Sequence, residues 1–160
     1  MANYKRIYAS GYSYYITIVT HRRNPILLEN LELLRASFKA SKQIFDYEID
    51  AIVIMPDHLH MIITPAISDQ YPKIIGYIKA YFSKHCDPKY FANQSQSHSR
   101  DKRRHKPIWQ KRFFEHTIRN EKDWQEKIVY MQNNPVKHGW AEDVRGWEYS
   151  SFAKRDGFTI

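Results

Sequence analysis

Two hydrophobic periods alternate along this chain, and their order predicts its elements. Tyr14–Thr20 is rich in Tyr, Ile, Val and Thr, the residues that suit a pleated surface, and predicts a first strand. His21-Arg22-Arg23-Asn24-Pro25 breaks it. Leu31, Leu34, Phe38 and Phe45 follow helical spacing and predict a helix from about Asn30, a suitable N-cap, to Phe45. Residues 48–55 and 58–64 predict the second and third strands. Only Pro56-Asp57 separates them, so they should be antiparallel neighbours, with Pro65 closing the third. A second helix should start near Ser68-Asp69 with Pro72 in its first turn and an apolar stripe of Ile74 or Ile75, Ile78 and Phe82.

From Asp87 to Lys106 the chain turns polar and basic, and we read it as a long mobile loop within one domain, because too little chain follows for a second core. Pro107–Ile118 predicts a fourth strand, with Trp109, Lys111, Phe113 and Glu115 on one face and Gln110, Arg112, Phe114 and His116 on the other. His116 reads as a structural histidine. A third helix should run from about Asn120, its cap, to Asn134, where Pro135 stops it. Residues 140–160 predict an ordered tail that packs back on the domain and ends in a short helix.

The composition narrows the class. A chain of 160 residues with 42% hydrophobic residues can bury a single core. No apolar run approaches the roughly 20 residues of a membrane span. The first residues lack a signal-peptide pattern, and the single cysteine, Cys86, excludes an intrachain disulfide; both suggest a cytoplasmic protein. A net charge of +8 with 15% aromatic residues favours a polyanion carrying unpaired bases.

The chemistry centres on His58-Leu59-His60. Strand alternation points both imidazoles to one face, with Leu59 behind them. Such a pair can hold a divalent metal or merely hydrogen-bond, and the motif alone leaves both open. A zinc site of His85, Cys86, His98 and His105 is disfavoured, since no close ligand pairs accompany the one cysteine. On the third helix, at about 100° per residue, Trp124, Ile128 and Met131 form a seam facing the sheet. Tyr130 lies roughly 120° off it, and Asn134, one turn on, shares its flank. If the sheet displays the histidines there, one pocket holds two imidazoles, a phenol and a carboxamide. The phenol, with an ordinary pKa of about 10, needs help to attack phosphorus, and a divalent cation can stabilise that transition state.

Four motifs in order carry a resemblance: Met55-Pro56-Asp57-His58-Leu59-His60, Trp109-Gln110-Lys111-Arg112-Phe113, Tyr130-Met131-Gln132-Asn133-Asn134-Pro135-Val136-Lys137 and Trp147-Glu148-Tyr149-Ser150-Ser151. The chain resembles the single-tyrosine HUH (His-hydrophobic-His) transposases, in particular the REP-associated tyrosine transposases. The resemblance implies an α+β fold, a ferredoxin-like antiparallel sheet of about four to five strands flanked by helices. It implies cleavage and rejoining of single-stranded hairpin DNA from palindromic repeats, through a covalent 5′-phosphotyrosine and with Mg²⁺ or Mn²⁺. Tyr130 would be the nucleophile, and His58 and His60 metal ligands. Asn134 would be the third ligand, with Asn133 or Asp57 as alternatives. The branch suggests a monomer. Candidate DNA contacts are Arg22, Arg23, Lys79, Arg103, Arg104, Lys111, Arg112 and Lys137. Competing readings are a non-catalytic protein that binds DNA or RNA hairpins, and a hydrolase with a water nucleophile.

Overall fold

In the computed structural model, which describes residues 11–153 and 158–160, the strands are β1 (Ser13–Val19), β2 (Tyr47–Ile54), β3 (His58–Pro65) and β4 (Phe114–Ile118). The helices are α1 (Leu31–Lys42), α2 (Tyr71–His85), a single-turn α3 (His98–Lys102) and α4 (Glu121–Lys137). The strands form one antiparallel sheet in the order β2-β3-β1-β4. This is the expected α+β architecture, with four strands.

Period-two alternation sorts the strand residues between two cores. Tyr14, Ile16 and Ile18 of β1 and Leu59, Met61 and Ile63 of β3 pack with Leu34 and Phe38 of α1 and Ile74, Ile78 and Phe82 of α2. The opposite face carries Tyr15, Val53 and Ile62, which meet Met131 of α4 and Trp147 of the tail. β2 and β3 turn through Pro56-Asp57, where the Met55 amide donates to the His58 carbonyl at 2.8 Å. The register sets Thr17 and Val53 on either side of His60. His58 and His60 therefore project from an interior strand onto the α4 face.

Three expectations change. Residues 107–113 are not strand: only Trp109 bridges to Thr20, and β4 starts at Phe114. The Lys79 ammonium takes the Gln110 carbonyl at 2.7 Å, and the Trp109 indole is buried against Phe82. Backbone acceptors that a ladder would use are thus met by side chains. Second, 87–106 is not loop throughout: it holds a 3-10 turn at Pro88–Tyr90 and α3.

Third, Pro135 lies inside α4, which continues to Lys137. The proline removes the donor to the Met131 carbonyl and crowds that carbonyl, yet the helix continues past it, with the His138 amide donating to the Asn134 carbonyl at 3.1 Å. The stop is Gly139, at φ +77°. Its amide donates to the Val136 carbonyl at 3.0 Å, and the Trp140 amide to the Pro135 carbonyl at 2.8 Å. These are the two bonds of a Schellman cap, whose left-handed residue glycine adopts without steric cost. The extra residues bring Lys137 and His138 alongside Asn134.

The tail packs back on the free edge of β2. The Ile54 amide donates to the Tyr149 carbonyl, the Ser151 amide to the Ile52 carbonyl, and the Trp147 indole to the Ile54 carbonyl at 2.8 Å. The short helix expected at the end of the 140–160 tail is not tested at residues 154–157, which lie outside the described residues. The described residues to either side are not helical.

Candidate active site

α4 crosses the sheet face from which the two histidines project, and Asn134 is the α4 side chain that reaches His58. Asn134 is buried, with Oδ1 3.1 Å from His58 Nε2. The His58 Nδ1 lies 2.6 Å from Asp57 Oδ1 and 3.3 Å from the Arg23 guanidinium. Both contacts cannot be hydrogen bonds, because a guanidinium only donates. The shorter one decides: in the neutral ring Nδ1–H donates to the carboxylate, and Arg23 pairs with Asp57 Oδ2 at 3.5 Å, so the Nε2 lone pair and the Asn134 Oδ1 face each other as two acceptors, the arrangement of two ligands around one cation and not a hydrogen bond.

His60 is held from its other side. Its Nδ1 is 2.8 Å from both Tyr15 Oη and Thr17 Oγ1. Its Nε2 is buried and has no protein partner, and the Asn134 Nδ2 is in the same condition. Burial, reinforced by the neighbouring His58, His138 and Arg23 and only partly opposed by the Asn134 carboxamide, pushes the His60 pKa down to about 3. The imidazole is neutral at physiological pH and keeps a lone pair for an acceptor role.

Tyr130 is exposed at the mouth of this group. Its ring stands nearly perpendicular to His60, with centroids 5.5 Å apart, and Lys137 Nζ lies 5.6 Å from its centre. Tyr15 differs. Burial first, then the nearby Tyr130, pushes its phenol up to about 12 against the opposing Thr17 hydrogen bond. It is a neutral hydrogen-bond partner of His60, not an anion in waiting. The pocket over these residues has a volume of about 470 Å³, and Arg23, Lys127 and Lys137 are among its lining residues.

The donor set fits a divalent cation. Two imidazole Nε2 atoms and a carboxamide converge where buried polar atoms otherwise lack partners, which costs about 1–3 kcal/mol each. Among the described residues no three His, Cys, Asp or Glu side chains form a metal-holding group, and the Asn134 carboxamide is the further oxygen that faces His58. Asn133 is turned away, its amide donating to the Val129 carbonyl, and Asp57 is occupied by His58 and Arg23.

The structure thus brings His58, His60, Tyr130, Asn134, Arg23 and Lys137 together. Lys79, Arg103, Arg104 and Lys111 line a separate cleft. Arg22 and Arg112 are exposed and line neither. His116 is structural, as expected, pairing with Asp123 at 2.7 Å. Sequence reasoning missed Tyr15, Thr17, Lys127 and His138. Tyr15 and Thr17 share a strand face, but their meeting with His60 depends on β1 pairing with β3. His138 follows Asn134 by four residues, so its place beside the site is a property of a helix that continues past Pro135.

Comparison with known proteins agrees with this arrangement. A family model described as IS200-like transposase matches residues 8–134. The chain belongs to the IS200-like transposase family and is a transposase-type enzyme. It is 38% identical over 154 residues to a putative REP-associated tyrosine transposase of Haemophilus influenzae, covering 95% of this chain and 86% of that one. It is 34% identical over 154 residues to a REP-associated tyrosine transposase of Escherichia coli, covering 95% and 83%. A solved structure of a REP-associated tyrosine transposase bound to a REP hairpin superposes with a TM-score of 0.78 at 32% identity, covering 95% and 83%.

Proposed function

We propose that this protein cleaves and rejoins single-stranded DNA beside a hairpin, with Tyr130 as nucleophile. The carrying observation is the juxtaposition of an exposed phenol with two inward-facing imidazoles and a buried carboxamide. A relative of the same fold that is bound to a REP hairpin supports the substrate class.

In this reading Tyr130 Oη attacks the scissile phosphorus, and the P–O3′ bond breaks. The DNA 5′ end becomes a phosphotyrosine ester, the other end leaves as a 3′-hydroxyl, and the phenolic proton passes to solvent. Attack of a 3′-hydroxyl on that ester reverses the step without ATP. His58, His60 and Asn134 would hold Mg²⁺ or Mn²⁺. Bound there, the cation supplies Lewis-acid polarisation of a phosphate oxygen. Asp57 fixes the His58 tautomer, Tyr15 and Thr17 orient His60, and Arg23, Lys127 and Lys137 attract the phosphate into the pocket.

The test is a covalent adduct. Wild-type protein with Mn²⁺ and labelled hairpin DNA carrying a single-stranded flank should give a shifted band on a denaturing gel. Tyr130→Phe should give none. An equal adduct from Tyr130→Phe would refute the assignment of the nucleophile.

A further inference from the structure

α4 and its C-cap carry three side chains of the candidate site at one interval. Tyr130, Asn134 and His138 are spaced four residues apart, so they lie along one flank of the helix. His138 is the C-cap, at φ −88° and ψ 1°, and the turn at Gly139 holds it there. Across the sheet the rings form a row. Tyr130 is 5.5 Å from His60, His60 is 4.9 Å from His58, and His58 is 5.3 Å from His138, centroid to centroid. Tyr130 and His138 are both exposed and both line the pocket of about 470 Å³.

This row has the shape that displacement at phosphorus requires. The attacking and leaving oxygens lie roughly in line, on opposite sides of the phosphorus. A phosphate seated over Asn134 and the two imidazoles turns one apical oxygen to Tyr130 and the other towards His138. Eight residues of helix separate the two by about 12 Å, room for a phosphate between two side chains that reach inward. The other cations do not serve the far end. Lys137 Nζ is 5.6 Å from the Tyr130 ring centre and Lys127 Nζ is 5.0 Å from that of Tyr15, both on the nucleophile's side. Arg23 is paired with Asp57. No side chain or carbonyl among the described residues takes up the His138 ring nitrogens, so this ring is the donor at the end opposite Tyr130.

We propose that His138 is a second catalytic side chain, which donates a ring N–H to the DNA O3′ as it leaves. The proposal rests on the DNA-processing reading and deepens it. The Tyr130 Oη–P bond forms, the P–O3′ bond breaks, and its electron pair passes to O3′. The hydrogen bond meets the charge that grows on O3′, and the proton that completes the hydroxyl comes from solvent. A neutral imidazole carries one N–H, so the contact does not require a charged ring. On rejoining, the same contact positions the attacking 3′-hydroxyl.

The experiment uses two hairpins with single-stranded flanks that differ in one atom, oxygen or sulfur at the scissile 3′ position. A thiol has a pKa of about 8.5, against about 15.7 for water, so a leaving sulfur needs little help from a donor. With Mn²⁺, His138→Ala should form the Tyr130 adduct about 100-fold more slowly than wild type on the oxygen substrate, and within about three-fold of wild type on the sulfur substrate. Turnover of the sulfur substrate also shows that the variant is folded. Titration calorimetry of the DNA-free protein should give one Mn²⁺ affinity for both proteins. Equal slowing on the two substrates, or slowing on neither, overturns the proposal. So does a Mn²⁺ affinity about ten-fold lower in the variant, which would make His138 a ligand. A wild-type protein that forms no adduct on either substrate sinks the transferase reading, and this proposal with it.

Discussion

Asn134 Oδ1 lies 3.1 Å from His58 Nε2, across 76 positions of sequence. Contact between a helix carboxamide and a strand imidazole joins the two halves of the site. It makes the most direct claim about the metal. Asn134→Ala should weaken Mn²⁺ binding by at least about ten-fold, while Asn134→Asp, which keeps an oxygen and adds charge, should retain or strengthen it. Titration calorimetry of the DNA-free protein reads both. Unchanged affinity in Asn134→Ala would remove it from the ligand set.

Tyr15 and Thr17 share one acceptor or donor atom, His60 Nδ1. Either alone can hold the ring, so Tyr15→Phe and Thr17→Val should each be mild. The double variant should lower Mn²⁺ affinity by about 10-fold or more, the usual scale for groups that orient a ligand. Additive small losses in a double-mutant cycle would mean that the two do not act through His60.

The tail is structural by its contacts. Trp147 is mostly buried and its indole caps the Ile54 carbonyl at the edge of β2. Trp147→Ala should cost about 3 kcal/mol, lowering the melting temperature by roughly 10 °C. Differential scanning calorimetry measures it. A shift of a degree or less would show that the tail is dispensable.

Asp123 ties β4 to the start of α4. Burial opposes its ionisation, but hydrogen bonds from His116 and the Arg119 amide outweigh it and hold the carboxyl below its usual value. A depressed carboxylate stabilises the fold above its unfolded pKa and loses that contribution as pH falls through the folded value. Asp123→Asn should therefore be less stable than wild type by about 1 kcal/mol at neutral pH, with the gap closing below about pH 4. Urea titrations at several pH values test this; a gap that widens in acid would contradict it.

How much of this was legible in the sequence follows from the range of the interactions. Strand and helix identities are local: the alternation around Leu59 and the spacing of Leu34 and Phe38 impose them. So is the common direction of His58 and His60, since a strand repeats every two residues. The flank shared by Tyr130 and Asn134 follows from one helical turn. Where the reading failed, a tertiary contact or a cap won. Lys79 draws the carbonyls of 110–111 away from strand pairing, and Gly139, not Pro135, sets the end of α4.

The parts of the site are local properties of the chain: a rigid histidine pair, a tyrosine off the packed seam, a basic and aromatic composition. Tertiary structure alone decided their assembly. Only the β2-β3-β1-β4 order sets Tyr15 and Thr17 behind His60, and only the packing of α4 on that sheet buries Asn134 against His58. Pairing order and helix docking follow from burying two apolar faces at once, a condition on the whole chain that no local period contains.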